Sequence, residues 1–229
     1  MRYIIAIFVA VLAAALAYCT SNERIATKIR FFNIMSAYNP DEFPSLKLKS
    51  VHLILITVIV GAASFFAVLS VLNATTDVIF VCRMAIALLC LVASGCFDLR
   101  QRRIPNIFPA ILAVSAVLLL VASAILYREN AVAQITSSAI AAVVCCVLLV
   151  LAATITKDGI GAGDIKLIGA LALMMGTYVV LGALFFSALL CCVSAIVIVV
   201  FKLNDRCKSV PFAPFLLIGY IVSLLINNF

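Results

Sequence analysis

Charge is scarce in this chain. Only 11% of its 229 residues are Asp, Glu, Lys or Arg, while 67% are hydrophobic. A soluble domain is about a quarter charged and about half apolar. No water-soluble fold of this size hides that much apolar surface, so lipid is the solvent for most of the chain. Tryptophan is absent, histidine occurs once (His52), and none of the nine cysteines forms a Cys-x-x-Cys pair. A zinc site of the usual spacing is thereby excluded, and no metal is expected. Cys82, Cys90, Cys96, Cys145, Cys146, Cys191 and Cys192 fall inside apolar runs and read as small packing residues. The net charge of +7 has no basic stripe interleaved with aromatics, so nucleic acid is not a partner.

What is there is a series of apolar runs long enough to span a bilayer, roughly 17 to 25 residues each. They cover 3–19, 51–72, 78–97, 107–127, 131–155 and 210–226. The stretch 165–201 must hold two more, with Gly176 and Gly182 bracketing the turn. Backbone polar groups find no water in lipid, so each run is a helix. The expectation is an all-α polytopic membrane protein with about eight transmembrane helices. Arg2 and Ala15-Leu16-Ala17 look like a secretory signal with an A-x-A site. However, Arg24, Lys28 and Arg30 outweigh Arg2, which favours an uncleaved first helix with its N-terminus outside.

That choice puts 20–50, 98–106, 156–166 and 202–209 in the cytoplasm, and these segments hold all but Arg2, Arg83 and Arg128 of the 16 basic residues. The bias matches the concentration of Lys and Arg in cytoplasmic loops. Asp98 ends the third span and Asp164 begins the sixth, so both lie at the cytoplasmic edge. The other acids are in loops (Glu23, Asp41, Glu42, Asp158, Asp205) or on the outer side (Asp77, Glu129).

A carboxylate at a membrane boundary is costly and is a functional candidate by default. The plainer alternative pairs Asp98 with Arg100, Arg102 or Arg103 and Asp164 with Lys166. Around Asp98 the chain reads Gly95-Cys96-Phe97-Asp98-Leu99-Arg100-Gln101-Arg102-Arg103-Ile104-Pro105-Asn106. Pro105 lacks an amide proton and keeps Ile104 from helical geometry, so the chain turns and re-enters the membrane. The second segment is Gly159-Ile160-Gly161-Ala162-Gly163-Asp164-Ile165-Lys166-Leu167. Its glycines permit positive φ and close packing, giving a tight loop that feeds a helix, and Asp164 there could also cap that helix. A dinucleotide fingerprint would need Gly where Lys166 stands and a preceding strand. That reading fails.

Asp98 followed by Ile104-Pro105-Asn106, then Gly161-Ala162-Gly163-Asp164 with Lys166-Leu167, resembles the type IV prepilin peptidases, GxGD-type intramembrane aspartyl proteases. Val210-Pro211-Phe212-Ala213-Pro214-Phe215-Leu216 with Gly219 is similar to that family's terminal Pro-Phe-Gly-Pro-Phe-Leu helix, with Ala213 in place of the usual Gly. The resemblance covers about 78–226. It divides the chain into an N-terminal part, 1–77, and a six-helix protease core, 78–229.

The resemblance implies a bacterial inner-membrane enzyme with Asp98 and Asp164 as catalytic pair at the cytoplasmic face. Gly161, Gly163, Lys166, Pro105 and Asn106 would form the active-site loops that meet substrate. The implied substrate is the leader of a type IV prepilin or pseudopilin, serving a pilus or a type II secretion system. Bifunctional relatives also N-methylate the product with S-adenosylmethionine and carry Cys-x-x-Cys elements in a longer first cytoplasmic loop. The corresponding 20–50 segment here is shorter and has no cysteine. From another class, the same acids would suit a multi-pass transporter coupled to protons or cations, although such proteins place their acids nearer mid-membrane and show internal repeats.

Overall fold

A computed structural model describes residues 2–21, 59–65, 68–69, 71, 77–101, 103–155, 161–200 and 211–227. Every regular element among them is a helix: α1 (Arg2–Ser21), α2 (Val78–Gln101), α3 (Ile107–Leu126), α4 (Arg128–Ile155), α5 (Ala162–Met175), α6 (Thr177–Val200) and α7 (Ala213–Asn227). Residues 59–65 add a further helical stretch. Most of the 20–50 loop and of the 51–72 run lies outside the described residues.

Four of these helices are long and apolar enough to cross a membrane, over Val78–Leu99, Ile107–Leu126, Val132–Ile155 and Thr177–Val197. Their surroundings differ. Over half of the α2 span is buried inside the protein, against 17% for α4, so α2 is the central helix. Its face carries Met84, Leu88 and Leu91, all fully buried. By contrast α3, α4 and α6 turn Leu118, Val143, Leu148, Phe185 and Ile196 outward. In water that contiguous apolar surface would drive aggregation; acyl chains solvate it. Several hydroxyls inside the helices are satisfied within their own helix, as where Ser94 donates to the Cys90 carbonyl (2.7 Å) and Ser123 to that of Leu120 (2.8 Å).

The 165–201 run divides at Gly176, where φ is +79°. Gly182, expected to bracket the turn, lies within α6 instead. A Cβ there would come 2.5 Å from Ser223 Oγ, so it serves contact rather than chain reversal. One residue in left-handed geometry is enough to end α5, because the Gly176 amide still bonds to the Ala172 carbonyl (2.9 Å).

The most extensive helix pair among the described residues is α6 with α7, joined through small residues. A Cβ on Gly219 would run into the Ala183 carbonyl oxygen and lie 2.8 Å from the Ser187 amide. Close backbone approach of this kind is how helices associate where no hydrophobic force separates them from lipid. Gly219→Leu should therefore force α6 and α7 apart and lower stability by about 1–3 kcal/mol, read as a reduced Tm in detergent. An unchanged Tm would contradict the interface.

Candidate active site

Asp98 sits in the last turn of α2 and is only 6% exposed. What holds it there is α7. A Cβ on Gly95 would lie 3.5 Å from Pro214 Cα, so the start of α7 rests on α2 one turn before Asp98. The Ala213 amide, the first of α7, donates to Asp98 Oδ2 at 2.9 Å. That amide is one of the four a helix cannot satisfy by itself. The positive end of the α7 dipole also faces the carboxylate, and such charge-assisted bonds are about twice as strong as neutral ones.

After α2 the chain reverses through Ile104 and Pro105 into α3, with the Phe108 amide bonded to the Pro105 carbonyl (3.3 Å). The Phe97 and Phe108 rings, 5.3 Å apart, staple the two helix ends together. Asn106 is the N-cap of α3 yet makes no side-chain capping bond. Its Oδ1 instead accepts from Lys166 Nζ at 3.1 Å, which ties the α2–α3 loop to α5.

Asp164 is the third residue of α5, whose N-cap is Gly161. The Asp164 amide donates to the Gly161 carbonyl (3.0 Å), while the Gly161 amide hydrogen-bonds the Asp164 carboxylate. This is the acidic half of a capping box, so the capping role foreseen for Asp164 coexists with its place beside Asp98. The glycines act through space rather than through φ. Gly161 has φ −68°, and the positive φ among described glycines is that of Gly176 alone. A Cβ on Gly163 would lie 3.2 Å from Ile104 Cβ and 3.3 Å from Ile104 O, tighter than most real contacts. Lacking a Cβ, Gly163 lets α5 begin directly against the loop that follows Asp98.

Burial raises the Asp164 carboxyl to about 6; the neighbouring Asp98 charge adds to the rise and the Gly161 amide opposes it. Two carboxylates so placed can share one proton, leaving one as a base for water and the other as an acid for a carbonyl oxygen. Asp98, Asp164, Gly161, Gly163, Lys166, Pro105 and Asn106 thus gather at one end of the helix bundle. A groove of about 400 Å³ between α3, α4 and α5 is lined by Asn106, Pro109, Cys146, Lys166 and Gly169. It follows the face of α5 turned away from Asp164. No three His, Cys, Asp or Glu residues cluster as a metal site among the described residues.

Sequence reasoning missed two contributors. Ala213 was noticed only as a replacement for Gly, whereas its amide is the donor to Asp98. Arg83 was noted only as a basic residue outside the cytoplasmic segments, although an Arg inside an apolar run is itself a signal. The contact at Gly163 yields a prediction. Gly163→Val should push the α5 start off Ile104 and lower whatever activity the aspartate pair supports by about 10-fold or more, at unchanged membrane levels. Wild-type activity in that variant would show that the close approach is dispensable.

The model of the type IV leader peptidase family matches residues 84–196, a stretch that includes both aspartates. No curated protein and no solved structure matches the chain. With the carboxylate pair, the glycine contact and the α2–α3 reversal inside it, the matched segment is that of the type IV leader peptidase family.

Proposed function

We propose that this protein is an intramembrane aspartic endopeptidase with about eight spans, which removes the leader of a type IV prepilin or pseudopilin at the cytoplasmic face of the bacterial inner membrane. The observation that carries the reading is the electrostatic action of Asp98 on Asp164, two acids brought together from helices far apart in sequence. The concentration of Lys and Arg on the loops at that end supports the cytoplasmic side.

In this reading Asp98, whose negative charge is favoured by the Ala213 amide, takes a proton from water. Asp164 supplies the shared proton to the scissile carbonyl and then to the departing amine. The pair titrates as a unit, so its apparent values belong to both groups. Lys166 and Asn106, bonded to each other, tie the α2–α3 loop to α5 and so help hold the two acids in place. S-adenosylmethionine has no part in these steps; methylation would be a separate activity on the cleaved product.

Cleavage of a co-expressed prepilin, followed by mass spectrometry, tests the proposal. Wild type should shorten the substrate, and Asp98→Asn and Asp164→Asn at matched levels should not. An added methylene mass on the new N-terminus would reveal methyl transfer. If both variants still cleave, the pair is not the machinery, and proton or cation flux becomes the assay to run.

The pH dependence has a definite sign. An Asp164 carboxyl raised to about 6 keeps its proton below that pH and loses it above, so kcat/KM should fall as pH rises through and beyond about 6. Infrared titration of the carboxyl band in Asp98→Asn should find Asp164 lower than in wild type. It should still lie above the usual carboxylate range, because burial is the larger cause. An ordinary value in the wild type would refute the coupling.

A further inference from the structure

Arg83 lies near the start of α2 and is 2% exposed. A cation inside an apolar span is expensive and needs partners. Its Nε donates to the Met174 carbonyl at 2.6 Å and its Nη2 to Ser138 Oγ at 3.4 Å. Met174 is the penultimate residue of α5, so its carbonyl is among the last four that no turn of the helix can satisfy. A cation there also meets the negative end of the α5 dipole. Asp77 and Tyr220 are the other groups that act on Arg83 electrostatically, and the Tyr220 hydroxyl lies within hydrogen-bond reach of the Met84 carbonyl (3.3 Å) and Met175 Sδ (3.4 Å). Beside this cluster Thr177 Oγ1 donates to the Ser137 carbonyl at 3.1 Å. The break at Gly176 is thus pinned by polar side chains from α2, α4, α6 and α7.

The packing gives this pin a purpose. α5 rests chiefly on α3 and α4, while α2 rests on α7, α1 and α3; α2 and α5 touch each other only sparingly. Yet these are the helices that carry Asp98 and Asp164. They run antiparallel, because the aspartates meet at one end and Arg83 meets Met174 at the other. Met174 follows Asp164 by about 15 Å of helix, a stiff rod over which an axial shift at one end is passed to the other.

We propose that Arg83 is a positioning residue for the aspartate pair: by gripping the Met174 carbonyl it sets how far α5 lies along α2, and so whether Asp164 stands level with Asp98. Its kinetic arm rests on the peptidase reading; its structural arm does not. Without the grip, α5 slides in the cradle of α3 and α4, and misplacement of a catalytic group by an ångström can cost on the order of 100-fold in rate.

The experiment compares Arg83→Met, which keeps an apolar stem and loses every donor, with Arg83→Lys, which keeps a cationic donor. In proteoliposomes, per folded molecule, Arg83→Met should lower kcat about 10- to 100-fold with KM within about twofold, and Arg83→Lys should recover part of the loss. Val180→Ala, a truncation of a fully buried residue in α6, should cost folded protein but not kcat. Spin-labelled non-natural residues at positions 101 and 162 report the spacing of the α2 and α5 ends without any substrate; that spacing should shift or broaden in Arg83→Met. The proposal is overturned if the spacing is unchanged and the kcat loss in Arg83→Met is no greater than in Val180→Ala. If Arg83→Met does not fold, Arg83→Lys bears the test: wild-type kcat together with wild-type spacing overturns the proposal. If wild type cleaves no leader but the spacing responds to Arg83→Met, the α2–α5 grip stands and the peptidase reading falls.

Discussion

A carboxylate buried at the end of an apolar helix needs donors, and Asp98 finds one in the first amide of α7. The bond closes a circuit that sequence order leaves open, since it joins the beginning of the matched core to a helix near the C-terminus. For the α7 amide to arrive, its chain must lie against α2, and Gly95 leaves the room. For α7 to hold that course, it must pack along α6, and Gly182 and Gly219 leave the room there. Helix geometry thus meets part of the cost of burying that negative charge.

The second aspartate is treated differently. Asp164 belongs to the first turn of its own helix and exchanges hydrogen bonds with Gly161, so local structure satisfies part of it. Burial and the Asp98 charge favour its protonated form. Two chemically identical side chains acquire unlike tendencies because one is served by a distant helix terminus and the other stands partly exposed at the tip of a short helix. Keeping that asymmetry requires α2 and α5, which share little surface, to hold one relative position. Contacts between Gly163 and Ile104 and between Lys166 and Asn106 act near the aspartates, and Arg83 acts on the opposite end of α5.

Much of this was legible in the residues themselves. The solvent, the helical class and the boundaries of α2, α3 and α4 follow from apolar runs, because lipid leaves an unsatisfied backbone no other choice. The common face of Asp98 and Asp164 follows from where Lys and Arg accumulate. The reversal at Pro105 follows from its missing amide. These inferences need only neighbouring residues and the length of a span.

Other features depended on tertiary structure because each is a choice among partners. Nothing local indicates that Asn106 leaves its own helix uncapped to bind Lys166, or that the Asp98 carboxylate accepts from the Ala213 amide of a distant helix. Gly161 and Gly163 were expected to permit positive φ and close packing; only the second is used, and the surface that Gly163 meets, Ile104, comes from the α2–α3 loop. Gly176 alone breaks the 165–201 run, since Gly182 is committed to Ser223 on α7. The sequence by itself determined the solvent, the helices and the pair of acids, through forces that act on single segments. Tertiary structure decided which donors serve those acids and what keeps them level, because hydrogen bonds between segments depend on where the helices meet.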